Sequence, residues 1–180
     1  MCPSTSRESG SGSESGSGSE SGSYAVARAI VLRSLTLAPR SRAQLEDKLR
    51  RSGCPTEVAA AVLDRMSEVG LVDDPAYAGM LVRSGQATRG LARRALAGEL
   101  RSRGIDDEVV RDTLASIDDE SERARAEELV GKRLRSMHGL APEVQARRLC
   151  GMLARKGYAS GIAYAVVRDA VAGAPEHQRD

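Results

Sequence analysis

The chain has 180 residues, and its 27 Lys and Arg against 25 Asp and Glu leave a formal charge of +2, far from the excess of a dedicated nucleic-acid binder. Phe and Trp are absent and Tyr24, Tyr77, Tyr158 and Tyr164 are the only aromatics, which leaves little platform for stacking on single-stranded bases. Cys2, Cys54, Cys150, His138 and His177 stand apart with no metal-ligand spacing, so the sequence argues against a disulfide framework, a metal site or a cofactor, and for a reducing cytoplasm.

Residues 1–23 read as a disordered low-complexity tail, because Ser9 to Ser23 holds only Ser, Gly and Glu and has nothing apolar to bury. Arg7 against Glu8, Glu14 and Glu20 gives this tail −2, leaving +4 on residues 24–180. No signal peptide is visible, and no apolar run approaches the roughly 20 residues that span a bilayer.

A first helix is expected over 24–37, with Val26, Ile30, Val31 and Leu35 on one face, ended by Pro39. Ser41 reads as the N-cap of a second helix to Ser52, carrying Leu45 and Leu49, and a third runs over 56–69 with Val58, Val62, Leu63 and Met66. Asp74-Pro75 reads as the start of a fourth, with Tyr77, Met80, Leu81 and Ser84 on one face and Gly85 near its end. A fifth is expected over 91–103, and a sixth capped by Asp106 with Val109, Val110, Thr113, Leu114 and Ile117 apolar. The last three are expected over 121–138, 142–156 and 160–171, with Leu149 and Leu153, then Ile162, Val166 and Val167, inward. Residues 174–180 should fray. No segment alternates like a strand.

These helices repeat one grammar. Leu45 and Leu49 precede Gly53, Leu96 and Leu100 precede Gly104, and Leu149 and Leu153 precede Gly157; Val58, Val109 and Ile162 each follow by five residues. The glycines are 51 and 53 residues apart, a repeat signature. The sequence therefore predicts an all-α, elongated and curved array of three tandem three-helix repeats, over 24–70, 71–119 and 120–173.

Catalytic chemistry finds little support. Asp73-Asp74, Asp106-Asp107 and Asp118-Asp119-Glu120 sit at helix starts, where carboxylates cap free N–H groups, and no His or Lys stands beside them as an acid/base partner. Cys54 occupies the position of Ile105 and Tyr158 in the other repeats, and so reads as packing. Tyr77 and Tyr158 read as core. The basic residues are the most informative remainder: Arg94 with Arg101, Arg148 with Arg155, and Arg50 and Arg51 in register with Arg101 and Arg155. With Arg89, Arg93, Arg103 and Lys156 they are the candidate contacts to a phosphate backbone or an acidic protein groove, against the plain alternative of a solvated face.

Three stretches resemble the RecX regulatory protein family: Gly70-Leu71-Val72-Asp73-Asp74-Pro75-Ala76-Tyr77-Ala78; Arg89-Gly90 through Arg103-Gly104-Ile105; and Leu149-Cys150-Gly151-Met152-Leu153-Ala154-Arg155-Lys156-Gly157-Tyr158, followed by Ile162 to Val171. Met152 and Tyr158 stand where the family often has Phe. The resemblance implies a monomeric regulator without catalytic residues, acting in DNA repair and recombination. Its expected partner is the RecA–DNA filament, whose ATP hydrolysis, strand exchange and co-protease activity it would suppress. Single- or double-stranded DNA is a further partner, and a membrane is not. A module that binds nucleic acid on its own is the other reading.

Overall fold

The computed structural model describes residues 17–174. Among them are nine α-helices, one π turn and no strand: α1 (Ser17–Leu37), α2 (Arg42–Arg51), α3 (Thr56–Glu68), α4 (Asp74–Ser84), the π turn (Gly85–Arg89), α5 (Arg93–Ser102), α6 (Asp107–Leu114), α7 (Asp119–Leu134), α8 (Pro142–Arg155) and α9 (Ser160–Ala172). The fold is all-α, three tandem repeats of three helices. Most of the expected tail lies outside the described residues, but α1 begins at Ser17 rather than Tyr24. Once the apolar part of a helix has nucleated, each further residue adds a hydrogen bond at small cost, so the helix propagates back into Ser/Gly sequence. At the other end Ala174 is buried and donates its N–H to the Val171 carbonyl; residues 175–180 lie outside the described part.

Contacts divide the chain into two units. The first holds α1, Leu45–Leu71 and so most of α2 and α3. Its core is Ala27 and Val31 from α1, Leu45 and Leu49 from α2, and Ala59, Val62, Leu63 and Met66 from α3. The expected face of α1 is rotated: Val26 is 62% exposed, and the buried stripe runs through Ala27, Val31 and Ser34. Small residues let α1 sit close to α3, and Ser34 satisfies its hydroxyl by donating to the Ile30 carbonyl (2.7 Å), so a polar residue costs little there.

The second unit comprises Arg40–Gln44 and the chain from Val72 onward. Tyr77, Ala78 and Val82 of α4 pack with Leu96, Leu100, Ile105, Val110, Leu114 and Ile117. A second cluster joins α7, α8 and α9 through Ala126, Val130, Leu149, Leu153, Val166 and Val167. Met80, expected inward, lies at the surface (36% exposed), because Ala78 and Val82 set the buried face of α4 instead.

Helix ends follow their side chains. Ser41 and Gln44 form a reciprocal capping box: the Gln44 N–H donates to Ser41 Oγ (3.2 Å) and the Ser41 N–H to Gln44 Oε1 (3.3 Å). Asp106 caps α6, as the sequence predicts, by accepting from the Glu108 N–H. The cap of α4 is Asp73, not Asp74; Asp73 accepts from the Ala76 N–H at 2.8 Å. Asp74 is freed for a distant partner, accepting from the Arg42 N–H at 2.9 Å. Helix α7 is capped by Asp118 and stops at Leu134, short of the expected 138, because the chain turns to bury Met137, whose carbonyl accepts from the buried Gln145 amide (3.1 Å).

Each repeat glycine ends its helix in the left-handed conformation, and the next N–H reaches back to a buried leucine carbonyl: Cys54 to Leu49, Ile105 to Leu100, Tyr158 to Leu153. At Gly104 and Gly157 the turn also meets other backbone. A Cβ on Gly104 would overlap Ala43, and one on Gly157 would lie 2.5 Å from the Ala95 nitrogen. The same joint is therefore built twice. Ser41 Oγ donates to the Arg103 carbonyl (2.6 Å), and the Ala92 N–H donates to the Lys156 carbonyl (2.9 Å). In each case the first turn of one helix meets the last carbonyls of another, so opposite helix-dipole ends face each other.

Tyr158 anchors the second joint, being 4% exposed and donating its hydroxyl to the Gly90 carbonyl (3.2 Å). Burial pushes its phenol up to about 12 from the usual 10. A raised acid favours the neutral folded form, so its stabilisation is complete below the unfolded pKa and is lost as pH climbs from about 10 towards 12. Thermal melts at pH 9 and pH 11.5 should show wild type losing more stability than Tyr158→Phe over that interval. An equal loss in both proteins would refute the role given to this phenol.

Candidate functional site

The ten basic candidates sort by what each touches. Arg50 and Arg51 both pair with Asp47 on α2, in the first unit, with side chains 78% exposed. Arg101 pairs with Asp107 across the Gly104 turn (2.6 Å), and Arg89 with Glu99 (2.6 Å). Arg103 is a structural residue: its guanidinium donates to the Tyr77 hydroxyl oxygen (2.9 Å) and to Glu99 (3.1 Å). Burial works against its charge, but the bonds to Tyr77 and Glu99 more than offset this and raise its pKa. Glu99 is likewise penalised by burial, yet hydrogen bonds from Arg89 and Arg103 hold it below the usual carboxylate range.

Arg93 is tied to the start of α7. Its N–H donates to Glu122 Oε1 (2.7 Å), its Nε to Glu122 Oε2 (3.2 Å), and its guanidinium pairs with Asp119. The hydrogen bond to Asp119 is the chief cause of its raised pKa. Glu122 is only 3% exposed and thus supplies a buried charge to the first turn of α5. Lys156 donates its ammonium to the Arg89 carbonyl.

Arg94, Arg148, Arg155 and Lys156 are the candidates that make no ion pair among the described residues. Arg94 and Arg101 both lie on α5, and Arg148 and Arg155 both on α8. One residue of each stripe, Arg94 and Arg155, lines a cleft of about 740 Å³ between the start of α5, the end of α8 and α9. The joint described above brings them together, because the Ala92–Lys156 bond and the Ala95–Gly157 contact seat the first turn of α5 on the last turn of α8. The walls are small residues, Ala95, Ala154 and Ala163, with Cys150 and Tyr158. Tyr164 stands at the rim, 66% exposed.

Two uncompensated guanidinium groups beside an exposed tyrosine suit recognition of a carboxylate or phosphate with an apolar neighbour. The sequence singled out Arg94 and Arg155 but not Tyr164. Its one signal was rarity, as one of four aromatics in the chain. Among the described residues no group of three or more His, Cys, Asp and Glu is placed to hold a metal ion, and no helix is long and apolar enough to cross a membrane.

Three family sequence models match consecutive blocks of the chain: RecX, first three-helix domain, over residues 27–66; the second three-helix domain over 73–114; and the third over 120–167. The chain is 56% identical over 146 residues to regulatory protein RecX of Thermobifida fusca (strain YX), covering 81% of this chain and 79% of that one. It is 49% identical over 145 residues to regulatory protein RecX of Streptomyces lividans, covering 81% and 77%. The crystal structure of RecX from Lactobacillus salivarius matches with a TM-score of 0.75 at 20% identity, over 83% of this chain and 97% of that one, a likeness of fold.

Proposed function

Because the chain belongs to the RecX family, we propose that it regulates the RecA recombinase, binding the RecA–DNA filament and lowering its ATP hydrolysis, strand exchange and co-protease activity. The observation that carries the contact surface is the cleft that gathers Arg94 and Arg155, free of acidic partners among the described residues, beside Tyr164. An acidic segment of a filament protomer can satisfy both guanidinium groups there, and the aromatic rim adds apolar area. The alternative, a module acting on nucleic acid alone through the arginine stripes, is weakened because Arg101, Arg89, Arg93, Arg50 and Arg51 are already paired with carboxylates.

The test is an ATPase titration with RecA, single-stranded DNA and ATP. The protein should lower the rate at substoichiometric amounts. The double variant Arg94→Ser/Arg155→Ser should need roughly ten times more protein for half-inhibition with its helical content unchanged, since each lost charge-assisted contact is worth a kcal/mol or more. No inhibition by wild type at several-fold excess would overturn the function. Unchanged inhibition by the double variant would overturn the surface.

A further inference from the structure

A second cleft, of about 480 Å³, lies around the π turn. Five cations line it: Arg83 from α4, Arg89 from the π turn, Arg125 and Lys132 from α7, and Lys156 after α8. Among the described residues Glu128 is the one carboxylate in the lining. It is already matched, because Lys132 donates to it at 2.6 Å and thereby holds its carboxyl below the usual range. Arg89 is matched by Glu99. Among the described residues Arg83, Arg125 and Lys156 therefore face the cleft with no carboxylate in ion-pair contact.

The backbone fixes this gathering. The wide turn ends with the Leu91 N–H reaching back to the Gly85 carbonyl (3.2 Å), which directs the Arg89 carbonyl to the Lys156 ammonium. A carbonyl partner positions that ammonium without neutralising it. The Gly90 carbonyl takes the Tyr158 hydroxyl from the same side (3.2 Å), so the floor of the cleft is held at two points. A π turn is costly in a helical chain and is often retained where it shapes a site.

We propose that this cleft is a phosphate-binding site. Like charges from three separate elements repel one another, and their convergence is relieved by a polyanion. A phosphoryl group offers several oxygens in a tetrahedral array and can accept from Arg83, Arg125 and Lys156 at once, whereas a single carboxylate presents two oxygens in one plane. No aromatic side chain among the described residues lines the cleft, so it reads phosphate and not a base. The phosphate comes either from a nucleic-acid backbone or from a free polyphosphate. Neither source requires RecA, so the proposal stands or falls apart from the regulatory role.

The experiment measures binding of the full chain to two probes, tripolyphosphate by calorimetry and a fluorescent dT20 strand by anisotropy, at low salt. Arg83→Ser/Arg125→Ser is the test variant, since neither side chain makes an ion pair that folding would miss. Arg28→Ser/Arg33→Ser, two exposed arginines on α1, is the control with the same loss of charge. The test variant should weaken binding of at least one probe about tenfold, and the control less than twofold. Binding of dT20 alone assigns the phosphate to nucleic acid; binding of both probes in competition assigns it to phosphate of either source, and both support the site. Equal weakening by test and control variants, no binding of either probe, or tighter binding of a poly-glutamate peptide than of either probe would each overturn it.

Discussion

Gly157→Ala should destabilise the second unit by about 2–4 kcal/mol, combining the left-handed strain of an L-residue with overpacking against backbone. The residue sits at φ +85°, and its new Cβ would lie 2.5 Å from the Ala95 nitrogen and 2.6 Å from the Ala95 Cβ. Neither contact can be relieved by a side-chain rotation, because Ala95 has none to make. The first turn of α5 must lift from the last turn of α8, which also stretches the Ala92–Lys156 hydrogen bond and opens the Arg94–Arg155 cleft. Gly139→Ala is the matched control, at φ +77° with nothing within 4 Å, and should cost only about 1–2 kcal/mol from backbone strain alone. Urea denaturation of the two variants separates the terms. If they lose equal stability, close packing at Gly157 is not what that glycine serves.

Glu122→Ala should cost about 2–3 kcal/mol, in the range for removing one partner of a buried pair whose other member keeps some solvent. Three groups lose by it. The Arg93 N–H, an unsatisfied donor of the α5 first turn, loses its acceptor; the Arg93 Nε loses its pair; and a buried volume is left beside Ala126. Glu122→Gln keeps a carbonyl oxygen for the N–H and fills the volume, so it should cost roughly half as much. Equal losses would mean that the charge carries the whole effect and the retained acceptor and volume none of it, and no loss in either would mean that the α5 start is held elsewhere.

Asp74 plays a related part for the Arg42 N–H, at the start of α2. That parallel was not legible from the sequence. The acids before each helix read as N-caps, and Asp73, Asp106 and Asp118 are. A carboxylate in the first turn that caps a helix dozens of residues away has the same local signature as one that faces water. Only folding brings the donor to it.

The basic residues teach the same lesson. In sequence Arg94, Arg101, Arg148 and Arg155 look equivalent, since each stands in a seven-residue stripe on its helix. In the structure Arg101 is spent on Asp107, Arg148 is exposed on α8, and Arg94 and Arg155 share a cleft. Arg83 and Arg125 drew no notice in the sequence, because nothing in their spacing relates α4 to α7.

What the sequence determined by itself was the three-repeat helical plan. Leucine spacing, the turn glycines and the capping aspartates act within one or two turns of chain, and their physics is local. It also carried the family, through motifs that lie on those same turns. What only the tertiary structure decided was which charges remain uncompensated and which of them meet. A salt bridge forms or fails over a few ångströms between residues far apart in the chain, and those distances exist only after the helices have docked.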